Sequence, residues 1–133
     1  MKYREHPENS FGHWVSTPII YFQAIPLVLL DISMELYHRI CFPLYGLPLV
    51  ERSKYIKIDR HKLKYLTPMQ KLGCVYCGYA NGLLPYATKI AAETEKYWCG
   101  IQHQKSKDFK PPEHHKKFFR FGDEKAFWKF RNN

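Results

Sequence analysis

The sequence predicts a mainly α-helical small domain organised around a Cys3His metal site. An apolar and amphipathic helical segment lies near its N-terminus, and we expect at most one short strand or hairpin. Three observations carry this prediction: a helical period from Leu27 to Phe42, a second one from Leu83 to Trp98, and the spacing C-x2-C-x21-C-x3-H. At 133 residues, with 45% hydrophobic and 17% aromatic residues, the chain has the size of one domain and is not disordered as a whole.

Changes in composition divide the chain into four predicted parts. These are a polar lead over 1–13, apolar and amphipathic helices over 14–50, a basic connector with a metal-binding helical module over 51–104, and a basic aromatic tail over 105–133. The lead carries both signs of charge, and the apolar run behind it has no small-residue cleavage site. We therefore expect no signal peptide.

The first apolar stretch, from Trp14 to Leu30, contains no charged residue. As one helix it would span roughly 25 Å, less than the ~30 Å hydrocarbon core of a bilayer, and Pro18 and Pro26 would interrupt it. A simple membrane span is therefore not expected. The side chains predicted to face a membrane or a partner are Trp14, Ile19, Ile20, Tyr21, Phe22, Leu27 and Leu30, together with Phe127 and Trp128 of the tail.

The helix predicted from Leu27 to Phe42 has one narrow polar face. Asp31, Glu35 and His38 lie on it with Arg39, at spacings of four, seven and eight residues, and apolar side chains cover the rest. Such a helix fits a bilayer interface, a protein core or, with its flanking residues, a membrane span, and these interpretations stay open. Glu35 and His38 also form the E-x-x-H pair of di-iron bundles, but only once, so pairing of Glu35 with Arg39 is the better interpretation.

Three local patterns follow along the chain. "KYIKID", Lys54 to Asp59, alternates enough to predict one short strand. Thr67 and Pro68 have the character of a helix N-cap and a first helical residue, opening a short turn before the cysteines. The Leu83–Trp98 helix follows, with Pro85 tolerated because it falls in the predicted first turn.

The cysteine spacing predicts a metal site with the ligands Cys74, Cys77, Cys99 and His103. Each pair has a spacing that lets two ligands reach one ion, the first pair from a tight turn helped by Gly78. Zn(II) is the preferred metal because it accepts mixed thiolate and imidazole ligands in closed sites. Iron, as a rubredoxin-like centre or an iron–sulfur cluster, is the alternative, and buried cysteines without a metal are the third interpretation.

The net charge of +9 indicates an anionic partner. The excess of positive charge lies in two stretches, which predict an anionic membrane surface or a larger protein complex as partner and favour nucleic acid less. The basic run directly after the amphipathic helix indicates the cytoplasmic side. The predicted contacts are Arg52, Lys54, Lys57, Arg60, Lys62, Lys64, Lys116, Lys117 and Arg120.

The segment from Glu35 to His103 resembles a family of small uncharacterised bacterial proteins, through "CFPLYG", "DRHKL", "CVYCGYANGL" and "YWCGIQH". The resemblance implies a bacterial, cytoplasm-facing protein and brings no assigned reaction. Asp59 and His61 place an acid beside a histidine, but nothing identifies a nucleophile, so a non-catalytic role is favoured.

The expectation is therefore a non-catalytic, zinc-binding accessory or interaction protein at the cytoplasmic face of the bacterial inner membrane, held there peripherally or monotopically, or within a membrane complex. An iron-containing electron-transfer subunit that uses the same four ligands is the alternative. A zinc-finger-like nucleic-acid binder is the third interpretation.

Overall fold

A computed structural model describes residues 10–131 of the chain. It forms two compact units, one ending at Ala87 and the other beginning at Thr88, so the division falls inside the predicted 51–104 module. The helices are α1 (Ser10–Phe22), α2 (Ala24–Leu44), α3 (Pro68–Trp98) and α4 (Glu124–Arg131), with short 3₁₀ helices at Arg52–Lys54, Arg60–Lys62 and Glu113–Lys117.

The protein is mainly helical, as predicted, and has no β-strand within residues 10–131. The strand predicted at Lys54–Asp59 is wrong, because this segment has no strand partner and crosses α3 instead. One isolated parallel bridge joins Ile101 to Phe119. The predicted lead over 1–13 lies mostly outside the described residues.

The predicted amphipathic helix from Leu27 to Phe42 is confirmed and lies inside α2. Gln23, whose φ of −63 and ψ of −14 are helical, separates α1 from α2, and Pro26 falls in the first turn of α2, where a missing N–H is tolerated. The Trp14–Leu30 stretch is therefore two helices. Together α1 and α2 contain a stretch, Trp14–Leu44, that is long and apolar enough to cross a membrane by length and composition.

Helix α3 starts at the predicted N-cap and is longer than predicted. Thr67 Oγ1 accepts a hydrogen bond from the Gln70 backbone N–H (3.3 Å), while Gln70 Oε1 accepts one from the Thr67 N–H (2.9 Å). This reciprocal capping box fixes the start of the helix at Pro68. No second start occurs near Leu83, and Pro85 consequently lies in the helix interior rather than in its first turn.

Residues 45–67, which we call the connector, join α2 to α3 and cross α3 within the first unit. Two glycines of α3 one turn apart, Gly78 and Gly82, make this crossing possible. A Cβ atom on Gly82 would lie 2.6 Å from the Tyr55 carbonyl oxygen and 2.7 Å from the Ile56 Cα atom. A Cβ atom on Gly78 would lie 3.0 Å from the Lys57 carbonyl oxygen. Only glycine leaves room for this backbone-on-helix contact, and the buried Phe42, Leu83 and Tyr86 belong to the core of the same unit.

Candidate functional site

Of the four predicted zinc ligands, Cys74 and Cys77 belong to the first unit, and Cys99 and His103 belong to the second. Cys74 and Cys77 are helical residues of α3, and Cys99 directly follows its last residue. The predicted tight turn at the first pair is therefore wrong. Gly78, assigned to that turn from the sequence, serves the helix crossing.

The cysteines have ordinary surroundings in the structure. Cys77 and Cys99 are exposed, whereas Cys74 and Cys41 are partly buried, and all four are free thiols. Zinc and iron at these four ligands remain predictions of the sequence.

A different group of ligand-type side chains converges in the second unit: Glu95, His103 and His115, which we call the Glu–His cluster. One donor atom from each lies within 4.8 Å of the other two. His115 Nε2 is 3.1 Å from both carboxylate oxygens of Glu95, and His114 Nε2 is 2.7 Å from one of them. Of the three cluster members, His115 is buried, Glu95 is partly buried and His103 is exposed.

Short-range backbone contacts hold the three segments of the Glu–His cluster together. Glu95 lies in the last turn of α3, which ends at Trp98, and Gly100 just beyond it has φ +65, a conformation that glycine adopts readily. Beyond this glycine, Gln102 is fixed by three hydrogen bonds. Its side-chain amide donates to the His115 carbonyl (2.8 Å) and to the Phe118 carbonyl (3.1 Å). Its backbone N–H donates to the Phe119 carbonyl (2.8 Å). These bonds place His103 beside His115.

The two neighbouring histidines lower the pKa of Glu95. Hydrogen bonding from His114 has the largest effect, and the bond from His115 adds to it, while partial burial acts in the opposite direction. Glu95 is therefore ionised at neutral pH and accepts N–H groups from both rings.

A cavity of ≈ 370 Å³ opens beside the Glu–His cluster within the second unit. His103 and His115 contribute to its wall, and Lys105 and Lys116 supply positive charge. Phe109, whose ring packs edge-on against His103 with centroids 5.2 Å apart, is part of the apolar lining. The cavity therefore combines imidazole, ammonium and apolar surfaces.

The polar face of α2 forms a second constellation, in the first unit. Arg52 binds Asp31 through both guanidinium nitrogens, with one distance of 2.6 Å, and reaches Glu35 at 3.2 Å. The Tyr79 hydroxyl donates to Asp31 at 2.8 Å. The Arg52 hydrogen bond lowers the pKa of Asp31, whereas burial and the bond to Asp31 raise the pKa of Tyr79 to about 12.

His38 completes this polar network in a neutral form. Its Nε2 accepts the Val50 backbone N–H at 2.8 Å, so the ring proton resides on Nδ1, which is 3.1 Å from the Tyr86 hydroxyl. Burial lowers the pKa of His38. Glu35 accepts from Arg39 at 3.0 Å, as predicted, and from Tyr86 at 3.2 Å. Glu35 and His38 are therefore both engaged in hydrogen bonds within the first unit.

The apolar face of α2 is turned outward. Leu29, Ile32 and Leu36 are each 62–63% exposed, whereas His38 on the opposite face is 2% exposed. Among the residues predicted to face a membrane or partner, Trp14, Ile19, Ile20, Phe22 and Trp128 are exposed, and Tyr21, Leu27, Leu30 and Phe127 are partly buried.

Most of the predicted anionic-partner contacts are exposed, and Arg52 is the exception because its guanidinium is bound to Asp31 and Glu35. Lys54, Lys57 and Lys116 each pair with a nearby surface carboxylate, an interaction that contributes little in water. The other residues predicted to contact an anionic partner, all of them exposed, are Arg60, Lys62, Lys64, Lys117 and Arg120.

No family model, curated protein or solved structure matches this chain.

His103 belongs to the metal site predicted from the sequence, whereas Glu95 and His115 do not. His115 follows a proline pair, and Glu95 lies eight residues before His103, so no regular ligand spacing connects the three. The available signal was the density of histidines around the predicted helix end, which by itself does not select a carboxylate partner.

Proposed function

We propose that this protein is a non-catalytic accessory or interaction protein held at the cytoplasmic face of a membrane by the apolar sides of α1 and α2. The single observation that carries this proposal is the reversed polarity of α2. Its polar side chains face inward and form hydrogen bonds with Arg52, Tyr79 and Tyr86. Its large apolar side chains face outward.

In water this arrangement is unfavourable, because each fully buried aliphatic side chain contributes about 1.5–3 kcal/mol relative to its exposed state. A contiguous apolar face of this length is typical of a membrane or protein interface. The helices carry Trp14 and Phe22 on exposed positions, the side chains found where helices lie at the headgroup boundary.

The connector supports the choice of an anionic membrane as the partner. Lys57, Lys62 and Lys64 are exposed in the segment that follows α2. Each cation near an anionic surface contributes about 1 kcal/mol of attraction, and basic residues beside an apolar segment favour the cytoplasmic side. No contact among the described residues favours the electron-transfer or nucleic-acid interpretations.

Vesicle flotation tests this proposal. The full chain is expected to float with vesicles containing anionic phosphatidylglycerol, and to do so less with pure phosphatidylcholine. Ile32→Glu should reduce flotation strongly, since a charged side chain replaces an outward-facing apolar one, while Ile32→Ala should reduce it less. Tyr97→Glu, the same charge change at an exposed position of the second unit, is the matched control.

Equal flotation of wild type and Ile32→Glu would exclude α2 as the membrane-binding face. Wild-type protein that stays with the lipid-free fraction but elutes as a stable oligomer would place the apolar face in a protein interface instead.

A further inference from the structure

We infer that the Glu–His cluster is a binding site for a divalent transition-metal ion, with Glu95, His103 and His115 as its protein ligands and Zn(II) as its preferred metal. This inference does not depend on membrane association, and it replaces the cysteines of the predicted site while keeping His103.

The distances between the donor atoms fit such an ion. Zinc–nitrogen and zinc–oxygen bonds of about 2.0–2.2 Å at tetrahedral angles place two ligands roughly 3.3 Å apart. The Glu95–His115 separation is 3.1 Å, and all three donors lie within 4.8 Å of one another. His103, the exposed member of the cluster, supplies the third donor.

His115 directs its Nε2 atom at the Glu95 carboxylate, and the residue is 2% exposed. A metal ion on Nε2 displaces the proton that this nitrogen shares with the carboxylate, and the remaining ring proton stays on Nδ1.

The ligands are held in place by contacts other than those with each other. His114 donates to the Glu95 carboxylate at 2.7 Å and so restricts its orientation. Gln102 ties the His103 segment to the His115 and Phe118 carbonyls. Supporting hydrogen bonds of this kind typically strengthen metal binding 10- to 100-fold.

Two imidazoles and one carboxylate favour zinc, although the same set is used for non-haem iron. Three protein ligands leave a fourth position, and the cavity beside His103 and His115 is where a water molecule or a small anion has access to it. Lys105 and Lys116 at the cavity wall favour an anion.

Isothermal titration calorimetry with ZnCl₂ on the purified full chain in mild detergent tests the inference. We expect one zinc ion per chain. Glu95→Gln should weaken binding at least ~10-fold, because a lost ligand has at least the effect of a lost supporting bond. His103→Ala should weaken it similarly, and its exposed position leaves the fold intact. Glu93→Gln, which alters a carboxylate half a turn away that pairs with Lys89 and Lys96, is the matched control.

The cysteines distinguish the two ligand sets. Cys74→Ser should bind zinc as wild type does, as should Cys41→Ser, whose cysteine belongs to neither set. Tight binding that survives Glu95→Gln but is lost in Cys74→Ser would overturn the inference in favour of the cysteine site, and the absence of saturable binding by wild type would overturn it outright. Cobalt(II) gives a second readout: a thiolate charge-transfer band in the near ultraviolet would also contradict it.

Discussion

Replacing Gly82 by alanine is expected to destabilise the first unit, although alanine is the better helix former. The added Cβ would meet two backbone atoms of the connector, at 2.6 Å from the Tyr55 oxygen and 2.7 Å from the Ile56 Cα. Ordinary van der Waals contact begins near 3.4 Å, so the connector must move by roughly 0.8 Å. Because both obstacles are main chain, no side-chain rotation relieves the contact.

The magnitude follows from two opposing effects. Overpacking of a closely packed contact costs about 1–3 kcal/mol, and two backbone clashes place this site at the upper end. Exchanging glycine for alanine in a helix interior contributes about 1 kcal/mol in the other direction. The expected net loss is about 2 kcal/mol of unfolding free energy.

Gly73 is the matched control in the same helix. A Cβ atom on Gly73 would lie 3.7 Å from its nearest neighbour, the Tyr21 hydroxyl. Gly73→Ala should therefore raise the unfolding free energy by about 0.5–1 kcal/mol. The added Cβ of Gly78→Ala would lie 3.0 Å from the Lys57 carbonyl oxygen, so the unfolding free energy of this variant should lie between those of the other two. Guanidinium denaturation in mild detergent, followed by helical circular dichroism, measures all three. A Gly82→Ala variant at least as stable as wild type would refute the close crossing of connector and α3.

Two further predictions concern the polar network. Arg52→Met should lower the unfolding free energy by about 2–3 kcal/mol. This is less than the roughly 3–5 kcal/mol lost when a fully buried ion pair is broken, because the Arg52 side chain is 34% exposed. The double variant Arg52→Met with Asp31→Asn should recover part of this loss in the same denaturation assay. Since burial lowers the pKa of His38, the unfolded chain takes up this proton at a higher pH than the folded chain does. The melting temperature should therefore be flat above about pH 7 and fall as the pH drops below about 6.5, with a smaller slope in His38→Gln. An unchanged slope in that variant would show that His38 is not the group responsible.

Local signals predicted α2 and the start of α3 well. The period of Asp31, Glu35 and His38 is a property of one helix, and the Thr67–Gln70 capping box involves neighbours in sequence. The prediction that the first cysteine pair forms a turn failed for a physical reason. Glycine after Cys77 fits both a tight turn and a close helix crossing, and only the distant connector decides between them.

The Glu–His cluster could not be predicted from local sequence signals, for a similar reason. Its ligands come from a helix end, an irregular segment and a 3₁₀ helix, and the Gln102 hydrogen bonds that join them are set by tertiary structure. His103 alone was found, because it stands at a familiar spacing from Cys99.

The connector links the stability of the first unit to its proposed membrane contact. Its backbone crosses α3 at Gly78 and Gly82, and Arg52 of the same connector neutralises the carboxylates of α2. If the connector shifts, those carboxylates lose their partner and α2 loses the contact that keeps its polar face inward. Gly82→Ala should consequently weaken vesicle flotation although it alters no membrane-facing side chain, whereas Gly73→Ala should not.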